Sequence, residues 1–220
     1  MFADFIHRYL DPADSLGELL FGLIMTLTVT LGAWLLSQNS KIAAGELAAT
    51  MIGCNIAWGI IDAVLYLIGS VFSRNRRVHF VRKLRATTDE ATAMATIREE
   101  FGLEDEPVMQ EADRAAFHRV VLDIMRHASA ERAHLRRQDF QAAGVIVLLV
   151  SLSAVPGALP FVVLEDSHLA LRLANLVQVG LLFFVGFEWA RHSGANPWRI
   201  GMTIVGLGLG LVLVSVLLGG

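Results

Sequence analysis

The chain has 220 residues, of which 55% are hydrophobic, and its mean hydropathy of +0.56 is well above that of an ordinary soluble domain. The 18 basic and 21 acidic residues leave a net charge of −3, which argues against a nucleic-acid-binding surface. A single cysteine, Cys54, excludes an intramolecular disulfide and any metal site built from several thiolates.

Five segments are long and apolar enough to cross a bilayer as helices, which requires about 20 residues each. They are Leu16–Leu36, Leu47–Phe72, Phe140–Leu164, Leu169–Ala190 and Trp198–Leu218. Pro156, Gly157 and Pro160 predict a kink or an end within the third segment. The sequence therefore predicts an all-α membrane protein with five transmembrane helices, organised as residues 1–73, 74–139 and 140–220.

A highly charged insert, residues 74–139, separates the second span from the third. It holds 13 of the 18 basic residues and 12 of the 21 acidic residues. Apolar residues at helical spacing predict three amphipathic helices here, at about 76–86, 89–101 and 108–137. Thr88 is the expected N-cap of the second helix, with Asp89 in its first turn.

Basic residues near the span ends predict the orientation, because Lys and Arg are retained on the cytoplasmic side. Seven arginines flank the insert or lie between the last two spans: Arg74, Arg76, Arg77, Arg136, Arg137, Arg191 and Arg199. The opposite connections hold only Lys41 and Arg172. We therefore expect the N-terminus and the insert to be cytoplasmic, in a bacterial inner membrane or an organelle membrane.

Two C-terminal stretches carry a family resemblance: Pro156–Phe161, with the sequence PGALPF, and Ser193–Pro197, with the sequence SGANP before a glycine-rich last span. Together with the order of spans and insert, they make the chain similar to the vacuolar iron transporter family. The resemblance implies a homodimer that exchanges Fe²⁺ or a similar divalent ion for protons. It also implies that acidic and Met residues of the insert bind the cation. Where the family carries an acidic residue early in the first span, this chain has Met25 nearby.

Asp62 is the sharpest functional signal, because an ionisable residue near mid-span costs roughly 2.5–3.5 kcal/mol to insert and usually faces an internal path or a partner. Asn55 lies two turns earlier on nearly the same face, and Met25 is expected at a similar depth in the first span. Carboxylate, amide and thioether groups suit Fe²⁺ or Mn²⁺. Glu18 lies at the membrane entrance, and we expect it to pass the ion from the insert toward Asp62. The alternative is that Asp62 and Met25 serve helix packing.

The insert offers a second candidate metal site. Four residues at spacings of four, four and three would share one face of its third helix: Asp123, His127, Glu131 and His134. Four acids in the preceding segments add oxygen ligands: Glu99, Glu100, Glu104 and Glu106. The alternative is a solvated surface whose acids pair with four arginines of the insert: Arg98, Arg119, Arg126 and Arg132.

The sequence contains no nucleophile–base pair, phosphate-binding glycine loop or HExxH motif, so we expect neither an enzyme nor a permanently bound cofactor. The predicted function is export of Fe²⁺ or Mn²⁺ from the cytosol in exchange for protons, with the insert collecting the ion. The expected partners are the lipid bilayer, divalent ions, protons and a second copy of the chain, without nucleic acid. The alternative is a membrane scaffold whose insert docks a soluble protein.

Overall fold

The computed structural model describes residues 6, 8–36, 44–101, 110–128, 131 and 134–218. Within these ranges all regular secondary structure is helical, which confirms the predicted all-α class. The helices are α1 Pro12–Leu36, α2 Ala44–Ala86, α3 Glu90–Phe101, α4 Glu111–His127, α5 Arg137–Ser153, α6 Val155–Val163, α7 Ser167–Ser193 and α8 Pro197–Leu217.

Five helical segments of the described chain are long and apolar enough to span a membrane, as predicted. They are Pro12–Trp34, Ala44–Ala86, Arg137–Val163, Ser167–Ser193 and Pro197–Leu217. The third consists of α5 and α6, which are separated at Ala154. Pro156 stands in the first turn of α6 and has no N–H to donate to the preceding turn, which explains the break.

The chain divides into two compact units. The membrane unit comprises Met1–Leu67 and Arg136–Gly220, and the insert unit comprises Ile68–Leu135. The boundary between them lies within α2, so the predicted separate helix at 76–86 is wrong: one helix runs from Ala44 to Ala86. The sequence between Phe72 and Arg77 contains no Gly or Pro to interrupt it, so the change from apolar to charged residues alters the surroundings of the helix but not its backbone.

The connection between α7 and α8 explains the SGANP motif. Gly194 ends α7 with φ 71°, a left-handed conformation that glycine adopts without steric cost. Two residues later the side chain of Asn196 accepts hydrogen bonds from Trp198 N and Arg199 N and caps α8, and Pro197 occupies the first turn. The motif therefore ends one span and starts the next within a few residues.

In the insert unit, α3 and α4 contribute to an apolar core with the C-terminal part of α2. Its buried members are Leu84, Ala93, Ile97 and Leu122. The predicted N-cap of α3 is wrong by one residue: the helix begins at Glu90, and the carboxylate of Asp89 accepts from Thr92 N at 2.9 Å. Asp89 reaches this amide because a carboxylate one residue before the helix faces the free N–H groups of its first turn.

The predicted helix over residues 108–137 is too long at its C-terminal end. α4 ends at His127, and Ala128 is extended, with φ −65° and ψ 141°. Arg85 donates to the carbonyl oxygens of Arg126 and Ala128, so the last carbonyls are satisfied by a side chain instead of a further helical turn. Between Met125 and Leu135 the sequence also has no large apolar residue that would pack a longer helix.

Candidate functional site

Asp62 and Glu18, which lie in different spans, line one cavity of the membrane unit with a volume of about 520 Å³. We call it the acidic cavity. Its lining residues are Leu10, Ala13, Asp14, Gly17, Glu18, Phe21, Asp62, Tyr66, Ile146 and Trp189. Asp14 and Glu18 are four residues apart on α1, and Asp62 and Tyr66 are four apart on α2, so each helix presents two polar side chains from one face. Three carboxyl groups therefore reach the same space.

The acidic cavity concentrates negative charge. None of the described residues that line it is Lys, Arg or His, and both Glu18 and Asp62 are partly buried. Carboxylates in surroundings of low dielectric constant repel one another unless a cation or a proton is bound among them. The cavity is thus suited to attract a cation and to hold it with oxygen ligands.

The carboxylates share this space without forming a closed ligand cluster. In the part of the chain that the structure describes, no three His, Cys, Asp or Glu side chains lie close enough together to hold one metal ion. A water molecule occupies about 30 Å³ in the liquid, so a cavity of about 520 Å³ has room for an ion that keeps several waters. This arrangement fits a passing ion better than a permanently bound one.

Asn55 lies in the interior of the membrane unit, with a relative exposure of 0%. Its Nδ2 donates to Gly22 O at 3.0 Å, Val150 O at 2.9 Å and Ser153 Oγ at 3.1 Å. Its Oδ1 accepts from Thr26 Oγ1 at 3.4 Å. These bonds join α2 to α1 and α5, and Asn55 does not appear among the described residues that line the acidic cavity. The structure therefore places the amide at a helix junction.

Met25 is partly buried on α1 and is also absent from the described lining of the acidic cavity. Of the four residues predicted to form a membrane site, the structure brings together Glu18 and Asp62 in one cavity. Asn55 and Met25 lie outside its lining. The oxygen ligands that line it are carboxylates and the phenol of Tyr66.

The four insert residues at ligand spacing do not share one helical face. Asp123 and His127 are exposed on α4, and His127 Nδ1 lies 2.8 Å from the carbonyl oxygen of Asp123. Glu131 and His134 come after the end of α4 and are not helical. The prediction failed here because it assumed a helix to residue 137, whereas α4 ends ten residues earlier.

The acids of the preceding segment have separate surroundings. Glu99 and Glu100 are exposed on α3, and Glu100 forms an ion pair of 2.9 Å with Arg76 of α2. Glu104 and Glu106 lie outside the described residues. Glu100 thus pairs with an arginine of the insert, although Arg76 is not one of the four arginines that the alternative named.

Sequence reasoning missed three residues of the acidic cavity: Asp14, Tyr66 and Trp189. Asp14 lies four residues before Glu18, and this spacing was a usable signal that the two acids share one face of α1. Tyr66 likewise lies four residues from Asp62 on α2. Trp189 is on α7, more than 120 residues away in sequence from either acid, and only the tertiary packing brings it to this site.

The comparison with known protein families agrees with this architecture. A sequence profile of the VIT family matches residues 22–220, a range that contains all of α2 to α8 and begins four residues after Glu18. No curated protein sequence matches the chain. Because the family match spans nearly the whole chain, this integral membrane protein belongs to the VIT family of membrane metal-ion transporters.

Proposed function

We propose that this protein exports a divalent cation, Fe²⁺ or Mn²⁺, from the cytosol in exchange for protons. The observation that supports it is the acidic cavity, where Glu18 and Asp62 from two spans meet with Asp14 and no described basic side chain. Acids inside a membrane-spanning bundle are energetically costly and are concentrated on ion and proton paths. Membership of the VIT family supplies the coarser activity, metal-ion transport across a membrane.

The charges of Glu18 and Asp62 provide a reason for exchange. When a divalent ion leaves two carboxylates, two protons restore the same net charge in the cavity. Either occupant avoids the repulsion between two bare carboxylates in surroundings of low dielectric constant. Release of the cation on one side of the membrane and protonation from that side then drive opposite fluxes through the same residues.

The donor atoms favour a hard or intermediate cation. Carboxylate oxygens, a phenol and water suit Mn²⁺ and Fe²⁺, whereas Cu⁺ and Zn²⁺ are bound most strongly by thiolate or imidazole. Neither Cys54 nor Met25 is among the described residues that line the cavity, and it has no described histidine. We therefore expect Mn²⁺ and Fe²⁺ to be transported in preference to Zn²⁺.

The insert unit has a separate proposed role, as a cytoplasmic collector of the cation. Its exposed acids, among them Glu99 and Asp123, provide carboxylate oxygens on the surface that suit a divalent cation. The positive charges that flank the insert favour a cytoplasmic location for it.

A homodimer is the proposed assembly. Gly206 and Gly210, four residues apart on α8, are exposed, and a Cβ at either position would meet nothing within 4 Å. Small residues at this spacing allow close approach of a second helix in a membrane. Cross-linking of the purified protein in a bilayer tests this arrangement separately from transport.

Transport by purified protein in proteoliposomes tests the proposed function. We expect Mn²⁺ uptake driven by a proton gradient, accompanied by proton movement in the opposite direction. Asp62→Asn and Glu18→Gln should each lower the initial rate at least about tenfold, equivalent to about 1.4 kcal/mol. Glu46→Gln is the matched control, because Glu46 is an exposed acid at the start of α2 and outside the described cavity lining. Wild-type rates in both cavity variants would contradict the proposal.

A further inference from the structure

A second cavity of the membrane unit, of about 400 Å³, has a polar side chain at every described lining position. It is lined by Arg8, Tyr9, Tyr66, Gln138, Asp139 and Gln141. Tyr9 and Tyr66 are the only two tyrosines of the chain, and both are here. We call it the tyrosine cavity. Five of its six side chains carry N–H or O–H donors, and one of them is a guanidinium.

The acid of this cavity is already engaged in the structure of α5. Asp139 is only 4% exposed, and its Oδ2 accepts from Arg136 N at 2.7 Å. It stands in the first turn of α5, where the partial positive charge of the helix N-terminus offsets a carboxylate. Among the other described groups of the lining, the side-chain amides of Gln138 and Gln141 carry donors, and the guanidinium of Arg8 carries the full positive charge.

The position of the cavity matches the level of lipid headgroups. Arg8 and Tyr9 come shortly before α1, which begins at Pro12, and Gln138 and Gln141 lie in the first two turns of α5. Most of the lining therefore comes from the starts of two spans, and Tyr66 is added from α2. Tyrosine is enriched at the boundary between hydrocarbon and water, and basic pockets between spans bind anionic headgroups. The guanidinium presents paired donors that match the oxygens of a phosphate.

We propose that the tyrosine cavity binds a phosphate group at the membrane surface, with Arg8 as its charge partner and the side chains of Gln138, Gln141 and Tyr66 as further donors. An anionic phospholipid such as phosphatidylglycerol supplies this group from within the bilayer, and inorganic phosphate supplies it from water. The site is distinct from the acidic cavity in its charge, although Tyr66 contributes to both linings. Binding here does not depend on transport.

Native mass spectrometry of the full-length protein in detergent tests this proposal. We expect phosphatidylglycerol to remain bound in preference to phosphatidylcholine. Arg8→Gln and Gln141→Leu should each reduce the bound phosphatidylglycerol, by about tenfold for the arginine, which is the effect of losing a charge-assisted hydrogen bond. Tyr66 is left unchanged because it also lines the acidic cavity. Arg172→Gln is the matched control, since Arg172 is an exposed arginine on α7 outside both described linings.

A parallel titration with inorganic phosphate distinguishes the two sources. Displacement of phosphatidylglycerol by millimolar phosphate, lost in Arg8→Gln, supports the site with soluble phosphate as a ligand. Retention of the lipid under the same conditions supports the site with the headgroup as its ligand. The proposal is overturned if Arg8→Gln and Gln141→Leu bind phosphatidylglycerol as the wild type does, or if Arg172→Gln weakens binding as much as Arg8→Gln. Circular dichroism and gel filtration verify that each variant is folded.

Discussion

The side-chain amide of Asn55 donates a hydrogen bond to the hydroxyl of Ser153, 3.1 Å away and separated by 98 residues in sequence. Ser153 is the last residue of α5, next to the break before α6. Its carbonyl oxygen accepts from Gln178 Nε2 of α7 at 3.4 Å. The end of α5 is therefore held from two sides by buried amides, one from α2 and one from α7, so the break has a defined position in the bundle.

Asn55→Ala should destabilise the membrane unit. The substitution removes the buried hydrogen bonds from Nδ2 to Gly22 O and Val150 O, and each such bond contributes about 0.5–1.5 kcal/mol. Thermal unfolding in detergent should show a lower Tm. Asn175→Ala is the comparison, because the buried Oδ1 of Asn175 has no hydrogen-bond partner among the described residues. An equal fall in Tm for both variants would show that the junction has no special role.

Gly22→Ala should separate α1 from α5. A Cβ at residue 22 would clash with Ser153 Oγ and lie 2.9 Å from Val150 O, and the second is a backbone atom that cannot rotate away. Overpacking of this kind costs about 1–3 kcal/mol. Gly53→Ala on α2 is the matched substitution, since its Cβ would meet nothing within 4 Å, and it should be neutral or stabilising by up to about 1 kcal/mol. Thermal unfolding of the two variants in the same detergent measures the difference, and similar Tm values would contradict the close approach.

Asp89 makes the stability of α3 dependent on pH. Hydrogen bonds from the hydroxyl and the backbone N–H of Thr92 lower the pKa of Asp89 below its ordinary value of 3.8. Because the pKa is lower in the folded state, the stabilisation is complete above the pKa of the unfolded chain and is lost as the pH falls through the folded value. At pH 7 the amide hydrogens of α3 should therefore exchange faster in the Asp89→Ala variant than in the wild type. The difference between the two proteins should narrow as the pH falls below 3.8, because the charge-dependent part of the stabilisation is lost.

Hydrogen exchange followed by mass spectrometry measures the exchange rates of the α3 amides. The wild type and the variant are compared at each pH so that the intrinsic exchange rates cancel. Asp89→Asn retains an oxygen acceptor without the charge, so its difference from Asp89→Ala should be the same at every pH. If the difference in exchange rate between the wild type and Asp89→Ala stays constant down to strongly acidic pH, the ionised carboxylate does not cause the difference.

Met25→Leu should leave Mn²⁺ transport within about twofold of the wild-type rate, because volume-conserving exchanges between Leu and Met are well tolerated. Met25 is outside the described lining of the acidic cavity, so the thioether is not expected to meet the ion there. Initial rates in proteoliposomes provide the measurement. A loss as large as that expected for Asp62→Asn would place the thioether on the ion path and reverse this assignment.

Several features of this protein follow from its sequence alone. The number of spans, the charged insert and the break near Pro156 are determined by local physics: the length of apolar runs, the solvation of charge and the missing N–H of proline. The resemblance to the VIT family also rests on short motifs, and the SGANP stretch serves in the structure as a helix stop followed by a helix start. These inferences require no knowledge of which helices are neighbours.

Tertiary structure decided which polar residues meet. Spacing put Asn55 and Asp62 on nearly the same face of α2, yet Asn55 bonds to α1 and α5, whereas Asp62 lines the acidic cavity with Glu18. Trp189 reaches that cavity from α7 without any signal in the sequence. The rotation of each span about its axis depends on how its side chains pack against several neighbours at once. A pattern read along one helix cannot specify that rotation, so the partners of a buried side chain emerge only from the assembled bundle.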